Sequence, residues 1–237
     1  MPPKLKATRK SVSFQHLSDE DVSKSQYILK SEFPRIETSI LTIPFQSALL
    51  IFGLYKFGLT NDIYGVMLKG IFSLIPLQLL YGYLITTRST EKEKKSKSHN
   101  SSENVPLLLA GGIVISLVLS APLFVALILL GAPLASHLKE TYLLSIHLSL
   151  LIFYPLLVLY KYDYKLLVKF LDTDGVYNAI AKNQILLSAV LAVIGTWFGV
   201  IPIPLDWDRD WQQWPITLLT GAYIGSFVGG IACFLFQ

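Results

Sequence analysis

Val105-Pro106-Leu107-Leu108-Leu109-Ala110-Gly111-Gly112-Ile113-Val114-Ile115-Ser116-Leu117-Val118-Leu119-Ser120-Ala121-Pro122-Leu123-Phe124-Val125-Ala126-Leu127-Ile128-Leu129-Leu130 contains no charged side chain. Crossing the hydrocarbon core of a bilayer takes about 20 mostly apolar residues at 1.5 Å rise each. This stretch meets that length with residues to spare. Helix is the state that satisfies its backbone there, because an open sheet would leave unpaired edges in hydrocarbon and barrel strands would alternate apolar with polar. Five further segments flank it: Thr38–Tyr55, Ile63–Thr86, Thr141–Tyr160, Gln184–Ile201 and Pro215–Phe236. The expected fold is therefore all-α, a polytopic transmembrane helix bundle of about six spans over residues 38–237. The first span is the most dilute, with Pro44 and Gln46 inside it and Lys56 just after it. Pro44, Pro76, Pro122 and Pro155 fall inside segments, where membrane neighbours tolerate them as kinks.

Composition agrees with lipid as the solvent. The chain is 52% hydrophobic and 15% charged, whereas a soluble domain carries about 25% charge to cover its surface. The net charge of +4 resides in tails and loops, which speaks against a nucleic-acid groove. Cys233 is the single cysteine, so no internal disulfide can form. The first 36 residues hold no apolar run, so no cleavable signal peptide is expected and the first hydrophobic segment would itself target the membrane. Residues 1–37 read as a disordered cytosolic tail, in which Arg9-Lys10-Ser11-Val12-Ser13 admits a kinase site but reads first as ordinary solvated sequence. Residues 87–104, with Glu91-Lys92-Glu93-Lys94-Lys95-Ser96-Lys97, read as a flexible charged loop.

With six spans, 16 of the Lys and Arg residues fall on one side, against Lys56, Lys139 and Arg209 on the other. The positive-inside rule then places both termini in the cytosol. Asn100-Ser101-Ser102 is a glycosylation sequon on the cytosolic side, so it is expected to stay unmodified.

The densest polar and aromatic cluster is Gly195-Thr196-Trp197-Phe198-Gly199-Val200-Ile201-Pro202-Ile203-Pro204-Leu205-Asp206-Trp207-Asp208-Arg209-Asp210-Trp211-Gln212-Gln213-Trp214-Pro215, which holds all four tryptophans. Trp207, Trp211 and Trp214 stand at i, i+4 and i+7, one face if the stretch is helical. They can form an aromatic belt at headgroup level or a docking surface for a partner or lipid. Asp206, Asp208 and Asp210 alternate as in a calcium loop. Trp211 stands where that loop needs Gly and Thr217 where it needs Glu, so no metal site is expected.

Glu140 and His147 are seven residues apart on similar helix faces, which admits proton transfer or a structural hydrogen bond. Lys69 can snorkel outward or pair with Asp62 or Glu140. Gly221, Gly225 and Gly229, with Ala222, Ser226 and Gly230 beside them, form a seam for close helix packing on a neighbour that the sequence does not identify. Gly112, Ser116 and Ser120 form a weaker one. No glycine-rich phosphate loop, paired metal ligands or G-x-S-x-G elbow is present. The non-cytosolic loops are too short for a catalytic domain.

Pro202-Ile203-Pro204-Leu205-Asp206-Trp207-Asp208-Arg209-Asp210-Trp211-Gln212-Gln213-Trp214-Pro215 closely resembles the phosphatidylinositol-glycan biosynthesis class F family in its fungal form. Gly131-Ala132-Pro133, Glu140-Thr141, Ser145 and His147 agree, and the resemblance covers roughly residues 38–237. It implies a non-catalytic, multi-pass subunit in the endoplasmic-reticulum membrane. Such a subunit supports a large GPI ethanolamine-phosphate transferase that moves phosphoethanolamine from phosphatidylethanolamine to a mannose of the GPI precursor. It implies no cofactor. Asp206, Trp207, Asp208, Arg209, Asp210, Trp211, Gln212, Trp214, Glu140 and His147 then become candidate contacts to the transferase, to membrane lipid or to the GPI precursor. The alternatives are a lipid transporter or scramblase, with Lys69, Glu140 and His147 lining a path, and an intramembrane lipid enzyme.

Overall fold

The computed structural model describes residues 38–96, 104–163, 180, 183–205 and 207–236, with backbone alone for 89–96. The expected N-terminal tail, the Asn100 sequon and Asp206 lie outside the described residues. Among the described residues six α-helices follow one another: α1 (Phe45–Lys56), α2 (Ile63–Ser96), α3 (Val105–Leu129), α4 (Leu138–Leu159), α5 (Gln184–Phe198) and α6 (Ile216–Phe236). Four of them, α2, α3, α4 and α6, are long and apolar enough to cross a membrane. Among the described residues there is no strand.

Two segments come out shorter than the sequence reading. Pro44 is not inside the first helix but at its N-cap, and the residues before it, Ile40–Thr42, form a separate 3-10 turn. Ser39 closes that turn by accepting from the Leu41 amide. The helix proper therefore has 12 residues, a rise of about 18 Å, against about 30 Å of hydrocarbon. α5 has 15 residues and stops at Phe198, where the chain turns toward Pro202 and Pro204. In the other direction, α2 stays helical to Ser96, into the charged stretch expected to be loop. Glu and Lys are good helix formers, and a helix already nucleated propagates through them.

Pro76, Pro122 and Pro155 lie inside α2, α3 and α4, which continue through them. Pro106 sits in the first turn of α3, where its missing N–H costs nothing.

α4 is the central helix, packed against α2, α3, α5 and α6. Of its most apolar window 78% is buried, against 28–44% for α2, α3 and α6. Their outer faces carry exposed Phe72, Val114, Val118 and Leu235, the apolar surface that lipid covers. The weaker small-residue seam of α3 faces α4: Gly112 lies under the Tyr154 ring, and the Ser116 carbonyl accepts from Ser149 Oγ.

The most extensive helix pair is α5 with α6. A Cβ built on Gly221 would run into the Gly195 carbonyl, and one on Gly195 into the Gly221 carbonyl. A Cβ on Gly225 would strike the Leu191 carbonyl, and one on Gly229 would come within 2.8 Å of the Leu187 carbonyl. The glycine seam thus has its mate inside the chain, and the two backbones touch directly.

At the end of the bundle away from the tryptophans, Gln184 ties three elements together. Its Oε1 accepts from Thr42 Oγ1 and its Nε2 donates to the Gly230 carbonyl at 2.8 Å. Tyr81 adds a bond to the Thr42 carbonyl at 3.0 Å.

Candidate functional site

The chain from Gly199 to Pro215 leaves α5, turns back and enters α6. It is not helical as a whole. Pro202, Pro204 and Pro215 lack amide donors, and only Asp210–Gln212 makes a 3-10 turn. Gln212 holds the loop closed. Its Oε1 accepts from the Arg209 amide at 3.0 Å, and its Nε2 donates to the carbonyls of Pro202 at 2.7 Å and Leu205 at 2.9 Å. Asp208 occupies the left-handed region at φ 44°, a conformation Asp tolerates. The Trp214–Pro215 bond is cis.

This geometry separates the three tryptophans. Trp207 and Trp211 stand side by side, ring centroids 5.9 Å apart, and both are exposed. Trp214 turns away from them. Its Nε1 donates to Thr141 Oγ1 at 2.9 Å, and that hydroxyl donates to the His137 carbonyl at 2.7 Å. The loop is thereby latched to the start of α4. The expected single face of three indoles becomes a pair plus an anchor. Asp208, Arg209 and Asp210 all face outward around the pair. Among the described residues no group of three His, Cys, Asp or Glu side chains is placed to hold a metal ion.

Glu140 and His147 do not meet. Glu140 lies 3.9 Å from His137 Nδ1, in the first turn of α4, where a carboxylate suits the helix dipole. His147 is fully buried. Its Nε2 lies 3.0 Å from the Met67 carbonyl of α2, and its Nδ1 lies 2.7 Å from the Tyr223 hydroxyl of α6. A carbonyl only accepts, so in the neutral ring Nε2 donates to Met67 and Nδ1 accepts from Tyr223. The imidazole packs over Gly70, where an added Cβ would come within 3.2 Å of it. His147 therefore joins α2, α4 and α6. Lys69 is exposed on α2; Asp62 accepts from the Gly65 amide at 2.9 Å, and no ion pair joins Lys69 to Asp62 or Glu140 among the described residues.

Sequence reasoning missed four of these roles. Tyr223 gave no signal, and Thr141 none beyond the family resemblance, since a buried hydroxyl partner has no spacing rule. Gln184 stood at a span boundary and was passed over. Gly195 and Gly199 do carry a signal, a glycine pair four residues apart that matches the seam of α6.

Long apolar helices, a buried polar tie in mid-bundle and an aromatic loop at one end define a polytopic α-helical membrane protein. The particular family follows from comparison. The chain belongs to the GPI biosynthesis protein family Pig-F, whose model matches residues 42–234. It is 95% identical to glycosylphosphatidylinositol anchor biosynthesis protein 11 of Debaryomyces hansenii, over 100% of both chains. It is 40% identical to the protein of that name from Candida albicans, over 98% of this chain and 96% of the relative. With the Yarrowia lipolytica protein the identity is 33% over 83% of each chain. No solved structure matches.

Proposed function

We propose that this chain works in GPI-anchor biosynthesis as a non-catalytic subunit of the endoplasmic-reticulum membrane, holding a large ethanolamine-phosphate transferase through the 199–215 loop. The observation that carries the reading is the form of that loop. Gln212 fixes it from within and Trp214 latches it to α4, while Trp207, Asp208, Arg209 and Asp210 are turned outward on a rigid base. Rigid aromatic residues beside an arginine are the residue types that anchor protein interfaces. Family membership and the names of its relatives support the pathway. The use of both His147 nitrogens in ties between helices favours a structural role for this buried histidine of α4.

In this reading both termini are cytosolic, and α1 and α5 complete the six crossings together with the turns that flank them. The loop then faces the lumen, where phosphoethanolamine transfer takes place. The test is affinity recovery of the chain with Trp207→Ala and Arg209→Ala from its native membrane in mild detergent. Recovery of the transferase should fall at least tenfold, about 1.4 kcal/mol of binding, while the amount of the chain itself stays the same. Undiminished recovery of the transferase, with unchanged anchor synthesis, refutes the assignment of the loop.

A further inference from the structure

A groove of about 430 Å³ runs along the outside of the α5–α6 pair. Its floor is the contact of Gly195 with Gly221 and of Gly225 with Leu191, where no side chain fills the space. Its walls are Tyr55 of α1, Ile194 and Phe198 of α5, and Ile224 and Val228 of α6, with Trp211 at one end. Ile194, Phe198, Ile224 and Val228 are all exposed. Two of the polar groups on the wall are paired: Thr220 Oγ1 donates to the Ile216 carbonyl at 2.7 Å and receives the Tyr55 hydroxyl at 2.9 Å, while the hydroxyl of Thr217, which also lines the groove, is buried with no hydrogen-bond partner. An apolar occupant therefore breaks no hydrogen bond on entering.

The dimensions select the occupant. Between Thr217 and Val228, the ends of the groove on α6, a helix rises about 16 Å, half of the roughly 30 Å hydrocarbon core. The groove is one leaflet deep and ends in mid-membrane. A partner helix would run on through the second leaflet. The lining of the groove is almost wholly apolar, which suits a hydrocarbon chain. The Trp211 end carries the indole pair, with Arg209 two residues before Trp211, and these are residue types that favour headgroup depth.

We propose that this groove binds one acyl chain of a membrane phospholipid, drawn from the leaflet at the tryptophan end, with the headgroup beside Arg209. The lipid fills the space that glycine-to-glycine contact leaves open, and so forms part of the α5–α6 unit. This site does not depend on the transferase reading, and its test needs no partner protein.

The full chain is reconstituted in phosphatidylcholine nanodiscs containing a small fraction of phosphatidylcholine with a diazirine on one acyl chain. After illumination, label is mapped by peptide. It should concentrate on α5 and α6, roughly tenfold over the exposed Val114 and Val118 face of α3, which samples bulk lipid. Ile224→Trp with Val228→Trp fills the groove from its exposed wall and should bring α5–α6 labelling down to the α3 level. Equal labelling of α3 and α5–α6 in the parent, or undiminished labelling in the filled variant, overturns the proposal. Should the filled variant not fold, lipid phosphate on the parent after exhaustive detergent washing decides. Retention of one phospholipid per chain supports the site, and none overturns it.

Discussion

Replacing Gly221 with alanine adds one methyl group at the closest point of the α5–α6 contact. The new Cβ would overlap the Gly195 carbonyl oxygen, with the Gly195 carbonyl carbon at 2.8 Å and the Gly199 amide nitrogen at 3.4 Å. Each of these atoms is backbone, so no side chain can rotate out of the way. The helices must part by about 1 Å, and a gap of that size forfeits a quarter to a half of each dispersion contact across it. Overpacking costs about 1–3 kcal/mol where neighbours can shift, and here the upper end applies because the contact is the largest in the bundle. At about 2–3 kcal/mol the melting temperature should fall by roughly 5–10 °C for a chain of this size. The control is Gly53→Ala on α1, where an added Cβ meets nothing within 4 Å. Helix propensity alone then operates, and the change should be neutral or stabilising by up to about 1 kcal/mol. Thermal unfolding of both variants and the parent in mild detergent, followed by tryptophan fluorescence and circular dichroism, reads the difference. Identical melting of Gly221→Ala and Gly53→Ala would refute direct backbone contact between α5 and α6.

Tyr223→Phe leaves the buried His147 Nδ1 without its donor and should cost about 1–3 kcal/mol; a chemical-denaturation series in detergent measures it, and the loss should be non-additive with His147→Leu. Trp214→Phe and Thr141→Val each remove the latch between the loop and α4, at about 1 kcal/mol. A double-mutant cycle should show them coupled by at least about 0.5 kcal/mol, whereas simple additivity would mean that the bond contributes nothing. Gln212→Ala removes three bonds that close the loop. It should speed amide exchange across residues 199–213 while leaving α5 and α6 protected.

The long spans were legible because hydrophobic length is a property of composition alone. The expected third segment, Val105–Leu130, and the sixth, Pro215–Phe236, match α3 and α6 to one residue at each end. The glycine seam was legible for the same reason, since small residues every fourth position have one geometric use. The first segment was not, because its apolar content says nothing about where Pro44 stops a helix from starting. The Glu140–His147 reading failed on distance. Residues seven apart share a face but stand about 10 Å apart along the axis, too far for a hydrogen bond, and each found a nearer partner. The tryptophan spacing misled because i, i+4, i+7 describes one face only in a helix. Between Pro202 and Pro215 only Asp210–Gln212 is helical, as a 3-10 turn, and Asp208 stands at positive φ, which leaves Trp214 free to reach α4. Loop conformation and buried hydroxyl pairs depend on contacts between distant segments, and these leave no local pattern.

The proposed function makes this chain the support of an enzyme rather than an enzyme itself. Purify the full chain from its native membrane under detergent conditions that preserve complexes, identify what accompanies it, and assay phosphoethanolamine transfer by the complex and by the chain alone. The account predicts a large transferase in stoichiometric amounts, activity in the complex and none in the isolated chain. Turnover by the isolated chain, or its recovery without any transferase, contradicts it.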